Sequence, residues 1–534
     1  MDFSLIFKTM PLPVLAFALP LFGAAAYGLL ILYNDFIAQW TRKPVELPRL
    51  CCKLPFLLLL CAGALISALI WKYASGASNQ LYVFTGGGWS DVLSPESGKK
   101  MQAALRVDAF GATSAALMSF VALAAGLRAL AERRKPITPR VIMFFLLACA
   151  GIQGIFFLNN LLSLFFFLMI TQLGVTGLYR GFSARRARRR RRHLFYYLSR
   201  LLLLAMFLAG AMILRSGYDS TNISVLASVI EPSRASLWAF VLLVVPLLYI
   251  FVKPSPLLDE AAKNCFFGIR TQATLFIVFR VVFSLYGPMR GLQKVPLLFM
   301  MLGVALLFLA LAVLSKEPEP SNFMDSLIFC VKGAILVSMG VAMNGSFSAE
   351  RAALYGVDAI ESMISLWLVF LPLSAAFAIV TVFLKEPDGK GAELWRYGRL
   401  FKRFPFVSSF LLLLVAITAG LPPFIGYEGR QLLLRSANFI SPFLTLLLFS
   451  LTAAIFFAAL RFVLALSASG GEGDGEGDFE GVHAALLPIF LLLLIFAAAT
   501  LTPGRIFADS VSPSVESLIN RTVPRSLSPA GRDG

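Results

Sequence analysis

The sequence predicts an all-α, polytopic membrane protein that crosses the bilayer about fourteen times. Three observations predict it. First, 58% of the 534 residues are hydrophobic, mean hydropathy is +0.80 and only 14% are charged, where soluble domains carry roughly 25% charge. Second, apolar runs of about 18 or more residues recur from end to end, each long enough to cross the hydrocarbon core. Third, one of these runs is interrupted by Pro422-Pro423 and carries a cation, Arg430, shortly beyond the interruption.

Taken in order, the expected spans lie at 10–33, 54–72, 108–131, 141–158, 161–179, 194–214, 235–252, 265–286, 296–315, 326–345, 356–384, 406–434, 441–466 and 483–501. Each is bounded by charged residues or by Gly/Pro breaks. Residues 1–505 therefore read as a single transmembrane helical domain and 506–534 as a polar tail. No stretch outside the membrane is long enough to build a substantial core of its own.

If the spans alternate, one set of loops collects the cations: Arg42, Lys43 and Arg49; Arg133, Arg134, Lys135 and Arg140; Arg180 to Arg192; and Lys390, Arg396, Arg399, Lys402 and Arg403. The other set has scattered cations such as Lys99, Lys100, Arg290 and Arg351. The cation-rich set faces the cytoplasm or mitochondrial matrix, and both termini face the other side.

The formal net charge of +18 follows this loop pattern, which argues against a nucleic-acid partner. The run Arg185–Arg192 reads as a topology anchor, an acidic-partner contact or an anionic-lipid contact. The segment Gly470–Glu480 has no helical period and reads as a flexible acidic loop. With only His193 and His483, and cysteines at 51, 52, 61, 149, 265 and 330 without a CxxC spacing, no metal site is expected. Neither a cleavable secretory signal nor an Arg/Ser-rich presequence is evident.

The interrupted span is the most informative element. Neither proline can donate a backbone hydrogen bond, so carbonyls one turn earlier lose their partners. In lipid such a break survives only where protein or a wet cavity satisfies the freed groups. Broken helices beside intramembrane charges are a construction used by ion-translocating proteins.

The stretch Arg399 to Pro405, followed by Ala419-Gly-Leu-Pro-Pro-Phe-Ile-Gly-Tyr-Glu-Gly-Arg430, resembles the antiporter-like subunits of respiratory complex I and of Mrp-type cation/proton antiporters. Those subunits carry a "SLAGxPPxxGFxxK" pattern on a discontinuous twelfth helix. Ala419, Gly420, Pro422, Pro423 and Gly426 match it, Tyr427 stands for Phe and Arg430 for Lys. Phe456-Phe-Ala-Ala-Leu-Arg461 resembles the "YYLR" of the next helix. Arg106-Val-Asp108-Ala-Phe110 resembles the opening of the third helix, and Asn159-Asn160 the start of the fifth. The polybasic loop before Leu194 resembles the segment before the sixth helix, and Met339-Gly340 the end of "AYSSIxxMG". The double proline favours the subunit 2 type, the bacterial N subunit.

The resemblance implies an antiporter-like fold with discontinuous helices. It also implies a non-catalytic core subunit that binds no cofactor of its own beyond structural phospholipids. Its expected partners are other membrane-arm subunits and lipids, including anionic phospholipid. Its expected location is the mitochondrial inner membrane, with the bacterial plasma membrane as the alternative. In that family a Glu on the fifth helix pairs with a Lys on the seventh, and lysines on the eighth and twelfth continue the chain of protonatable groups.

This sequence departs from the pattern. Counting from Asn159, Met169 occupies the glutamate position. Lys253 is the nearest cation to the seventh helix, at its end, before a reduced connector Pro254 to Ala261. Arg270 lies near the eighth-helix lysine position and Arg430 at the twelfth, and Lys332 sits inside the tenth span. Arg430, Lys332, Arg270 and Lys253 are thus the candidate proton-path or buried polar residues.

Arg270, Arg280, Arg200 and Arg461 have a plainer reading as side chains that snorkel to the headgroups. For Arg430 and Lys332 the functional and anchoring readings are balanced, and Asp108 and Glu361 read as packing or capping groups. A guanidinium cannot readily relay a proton as an amine does, so the expected proton wire is degraded. Three functions follow for comparison: a divergent complex I membrane-arm subunit, an Mrp-type antiporter subunit, and an unrelated polytopic carrier such as a lipid flippase.

Overall fold

The computed structural model describes residues 12–41, 49–76, 105, 107–131, 138–182, 189–252, 271, 273–287, 290–315, 320–383, 405–422, 424–468, 511 and 514–515. Among them eleven helices are long and apolar enough to cross a membrane, and two shorter apolar helices accompany them. The architecture is all-α, with isolated bridges Leu105–Leu158 and Asn160–Asn222 the β pairings among the described residues. The expected span 483–501, the loop 470–480, Lys253, Arg270 and Pro423 lie outside the described residues.

The chain divides into two compact units, one of residues 1–253 with 269–287 and the other of residues 254–268 with 288–534. The first contains α1 (Leu12–Thr41), α2 (Arg49–Gly76), α3 (Ala109–Ala131), α4 (Pro139–Phe157), α5 (Leu161–Phe182) and α6 (Arg189–Tyr218). It continues with the short α7 (Ile223–Val229), α8 (Arg234–Val252) and α9 (Ala273–Tyr286). Helix α4 packs against α1, α3 and α5, α2 against α3, and α6 against α8. Pro139 opens α4 at a position where its missing N–H costs nothing.

Helix α7 was not expected from the apolar runs. Asn222 caps it by accepting from the Ser224 N–H at 3.0 Å. The loop before it folds onto the turn between α4 and α5, where Ile223 N donates to Asn159 O at 2.8 Å and Leu161 N to Thr221 O at 2.9 Å. Asn160 accepts from Leu162 N at 2.9 Å, so the Asn159-Asn160 pair opens α5 as expected. Helix α9 is α-helical up to Phe279 and π-helical over Arg280–Tyr286.

The second unit contains α10 (Val295–Leu314), α11 (Pro320–Gly345), α12 (Val357–Phe383), α13 (Pro405–Ala419), α14 (Ile425–Ile440) and α15 (Pro442–Ala468). Helix α11 is its axis, in contact with α10, α12, α13, α14 and α15. Its apolar stretch is 94% buried, against 22% for α15, so α15 turns most of its surface outward. Outward Phe443, Leu446 and Phe449 suit contact with acyl chains. A π-helical turn, Ala352–Gly356, precedes α12.

The expected span 406–434 is interrupted, as its double proline predicts. It is α13 and α14 separated by residues 420–424, and α14 runs on to Ile440. The break begins at Gly420, whose φ of +71° lies in the left-handed region that a side chain would strain. Leu421 N donates to Ala416 O at 3.0 Å and Gly420 N to Ile417 O at 3.1 Å. Those two bonds make a Schellman motif, a standard way to end a helix on glycine.

Candidate functional site

In the second unit the site is built at the break. The Schellman bonds satisfy the carbonyls of Ala416 and Ile417, and leave that of Thr418 open. Arg430, one turn into α14, reaches back and donates through Nη2 to Thr418 O. It also donates to the sulfur of Cys330 on α11 at 3.4 Å. Arg430 is 7% exposed. A cation at the C-terminal end of α13 also meets the negative end of that helix dipole. The guanidinium thus works as a cap across the break.

A hydroxyl chain holds the same turn of α14. Ser362 Oγ on α12 donates to the carbonyl of Gly429 at 2.7 Å, and Ser338 Oγ on α11 lies 2.9 Å from Ser362 Oγ. Ser338 is also within 3.0 Å of the Ala334 carbonyl. Lys332, on α11, is 4% exposed, with Nζ 5.5 Å from the centroid of Phe329. Glu361 is half-buried on α12 and its carbonyl accepts from Ser365 Oγ at 2.6 Å. Pro422 is exposed at the break itself.

In the first unit the charge sits elsewhere. Arg280 and Asp108 form a two-pronged ion pair: Nη1 to Oδ2 and Nη2 to Oδ1, each at 2.6 Å. Both side chains are 3% exposed. The snorkelling expectation for Arg280 is therefore corrected. A carboxylate inside the bundle compensates the guanidinium better than a stretch toward headgroups. Asp108 also caps α3, accepting from Gly111 N at 2.8 Å, so the capping expectation for it is only half of its role.

Arg200 is likewise buried, at 3% exposure, whereas Arg461 is exposed. Met169 is half-buried on α5. A neutral polar chain crosses three helices of this unit. Gln153 donates to Ser119 at 2.6 Å and to Ala115 O at 3.1 Å, and Ser119 donates to Ser67 at 2.8 Å. Among the described residues no group of His, Cys, Asp and Glu could hold a metal ion.

The family described as "NADH:quinone oxidoreductase/Mrp antiporter, TM" matches residues 338–456, the segment that contains the break. A chain of the Mrp complex from Dietzia sp. DQ12-45-1b superposes with a TM-score of 0.71 at 16% identity, over 96% of this chain and all of that one. A chain of respiratory complex I from Thermus thermophilus gives 0.69 at 20% identity, again over 96% and 100%. A chain of the membrane-bound sulfane sulfur reductase, an archaeal respiratory membrane complex, gives 0.75 at 16% identity with the same coverage. The fold is that of an antiporter-like membrane subunit.

No curated protein matches the sequence. The likeness to these chains is one of fold. The sequence places Arg430 at the break but does not disclose its bond to Cys330 or Thr418. Nor does it disclose the Asp108–Arg280 pair or the Ser338–Ser362–Gly429 chain. The first was findable from one rule, that a charge in an apolar span needs a partner. The second carries no signal, because serines in membrane helices usually bond their own backbone.

Proposed function

We propose that the protein is a divergent, subunit 2-like membrane-arm subunit of an NADH:quinone oxidoreductase of the complex I type. In this reading it couples quinone reduction elsewhere to proton movement, or supports the arm with a degraded proton path. The observation that carries it is the broken helix at 420–424 with Arg430 buried across it. That break falls in the segment matched by the NADH:quinone oxidoreductase/Mrp antiporter family. Guanidinium in place of amine, and Met169 in place of a carboxylate, favour the support role, because neither exchanges protons readily.

On this reading the candidate path residues are Arg430, Lys332, Arg270 and Lys253. The chain sits in the mitochondrial inner membrane beside other membrane-arm subunits and phospholipid, holds no redox cofactor and catalyses no reaction itself. The alternative is an Mrp-type Na+/H+ antiporter subunit in a bacterial plasma membrane, which the likeness to the Dietzia Mrp chain favours equally on fold. Loss of the fifth-helix carboxylate weighs against it, since a dedicated antiporter depends more on that group than one module among several.

Native mass spectrometry of the complex purified through this chain tests the choice. Recovery with flavin- and iron–sulfur-bearing subunits is the expected result. Recovery with only small antiporter subunits overturns it in favour of the Mrp reading.

A further inference from the structure

We propose that the Asp108–Arg280 ion pair is a clamp that holds α9 in its π-helical form. Four observations on the first unit meet there. Arg280 is the first residue of the π-helical turn, which closes with Gly287 N donating five residues back to Val282 O at 3.0 Å. Its guanidinium takes both oxygens of Asp108 at 2.6 Å. Its Cζ lies 5.0 Å from the Phe276 centroid and 5.7 Å from that of Phe110, and these two rings stack at 4.9 Å. Asp108 is itself immobilised, because it caps α3 through Gly111 N.

A π-helical turn is rare and occurs mostly as a single-turn bulge inside an α-helix, often at a functional site. Without the clamp the turn 280–286 has no fixed register and passes between π- and α-helical bonding, which breaks its amide hydrogen bonds at each passage and swings every side chain beyond it around the axis. Tyr286 would then leave the Ser236 carbonyl, to which its hydroxyl donates at 2.8 Å. Ser284 Oγ, buried and without a hydrogen-bond partner among the described residues, supplies no tether of its own. The pair is placed to supply one: a rigid planar fork fixed to a cap on another helix, with two aromatic faces preventing rotation. Asp108 and Arg280 are in this account positioning residues for the hydroxyls of Ser284 and Tyr286. The inference concerns the first unit alone and does not depend on the redox reading.

The test uses the intact complex and hydrogen–deuterium exchange of two segments, 280–287 and 109–116. Asp108→Asn keeps an oxygen for Gly111 N but removes the ionic fork, so it separates capping from clamping. The expected result is exchange faster by about ten-fold or more in 280–287 with little change in 109–116. The double variant Asp108→Leu/Arg280→Met leaves no unpaired charge and covers the case in which the single variant fails to assemble. It too is expected to expose 280–287. Wild-type protection of 280–287 in an assembled double variant overturns the proposal, since packing alone would then hold the turn.

Discussion

Arg430 caps the helix that ends before it in the chain: its Nη2 donates to the carbonyl of Thr418, the last residue but one of α13. The two lie twelve positions apart in the sequence, and the break between them lets the side chain fold back. Replacing Arg430 by Met removes the donor and leaves a carbonyl in an apolar setting, a loss of about 1–3 kcal/mol. The thermal midpoint of the purified protein should fall accordingly. Arg430→Lys retains the charge but not the fork, and is expected to recover only part of the loss. Equal midpoints for Met and wild type would remove the capping role.

Gly420 is where the backbone turns, and its missing side chain is where Arg430 passes. A Cβ there would run into Arg430 Cδ, and φ is already +71°. Gly420→Ala therefore meets both a left-handed backbone cost of roughly 1–2 kcal/mol and displacement of the guanidinium. The variant should lower the thermal midpoint more than Gly63→Ala on α2, where an added Cβ meets nothing within 4 Å. Differential scanning fluorimetry of the two variants side by side checks this.

Met169 gives the sharpest test of the proposed complex I reading with its degraded proton path. Met169→Glu restores a carboxylate at the position where the resemblance expects one, but restores no amine partner. Proton-to-electron stoichiometry in proteoliposomes should stay at the wild-type value. Stability should drop by about 1–3 kcal/mol, from burying a polar group without a prepared partner. A rise in the stoichiometry would mean that the remainder of the path is intact and that this position alone had silenced it.

Most of the helices were legible because membrane insertion imposes length and apolarity on each span separately. The expected runs at 141–158 and 235–252 fall within a residue or two of α4 and α8. The double proline likewise announced a break, since proline acts on its own backbone. Helix α7 was not legible, because seven residues carry too little period to stand out. The fate of Arg280 was not legible either: its depth in the span is compatible with snorkelling, and its partner lies 172 residues away in the chain.

Composition and local backbone chemistry alone determined that this chain is a bundle of bilayer-crossing helices with an interruption at the double proline Pro422-Pro423. Those properties arise from each segment meeting lipid by itself. Only the tertiary structure decided what Arg430 and Arg280 do, the first capping a severed helix and the second gripping an aspartate. A buried charge is stabilised by whichever groups the folded chain brings within hydrogen-bonding distance, and the order of residues along the chain does not state that proximity.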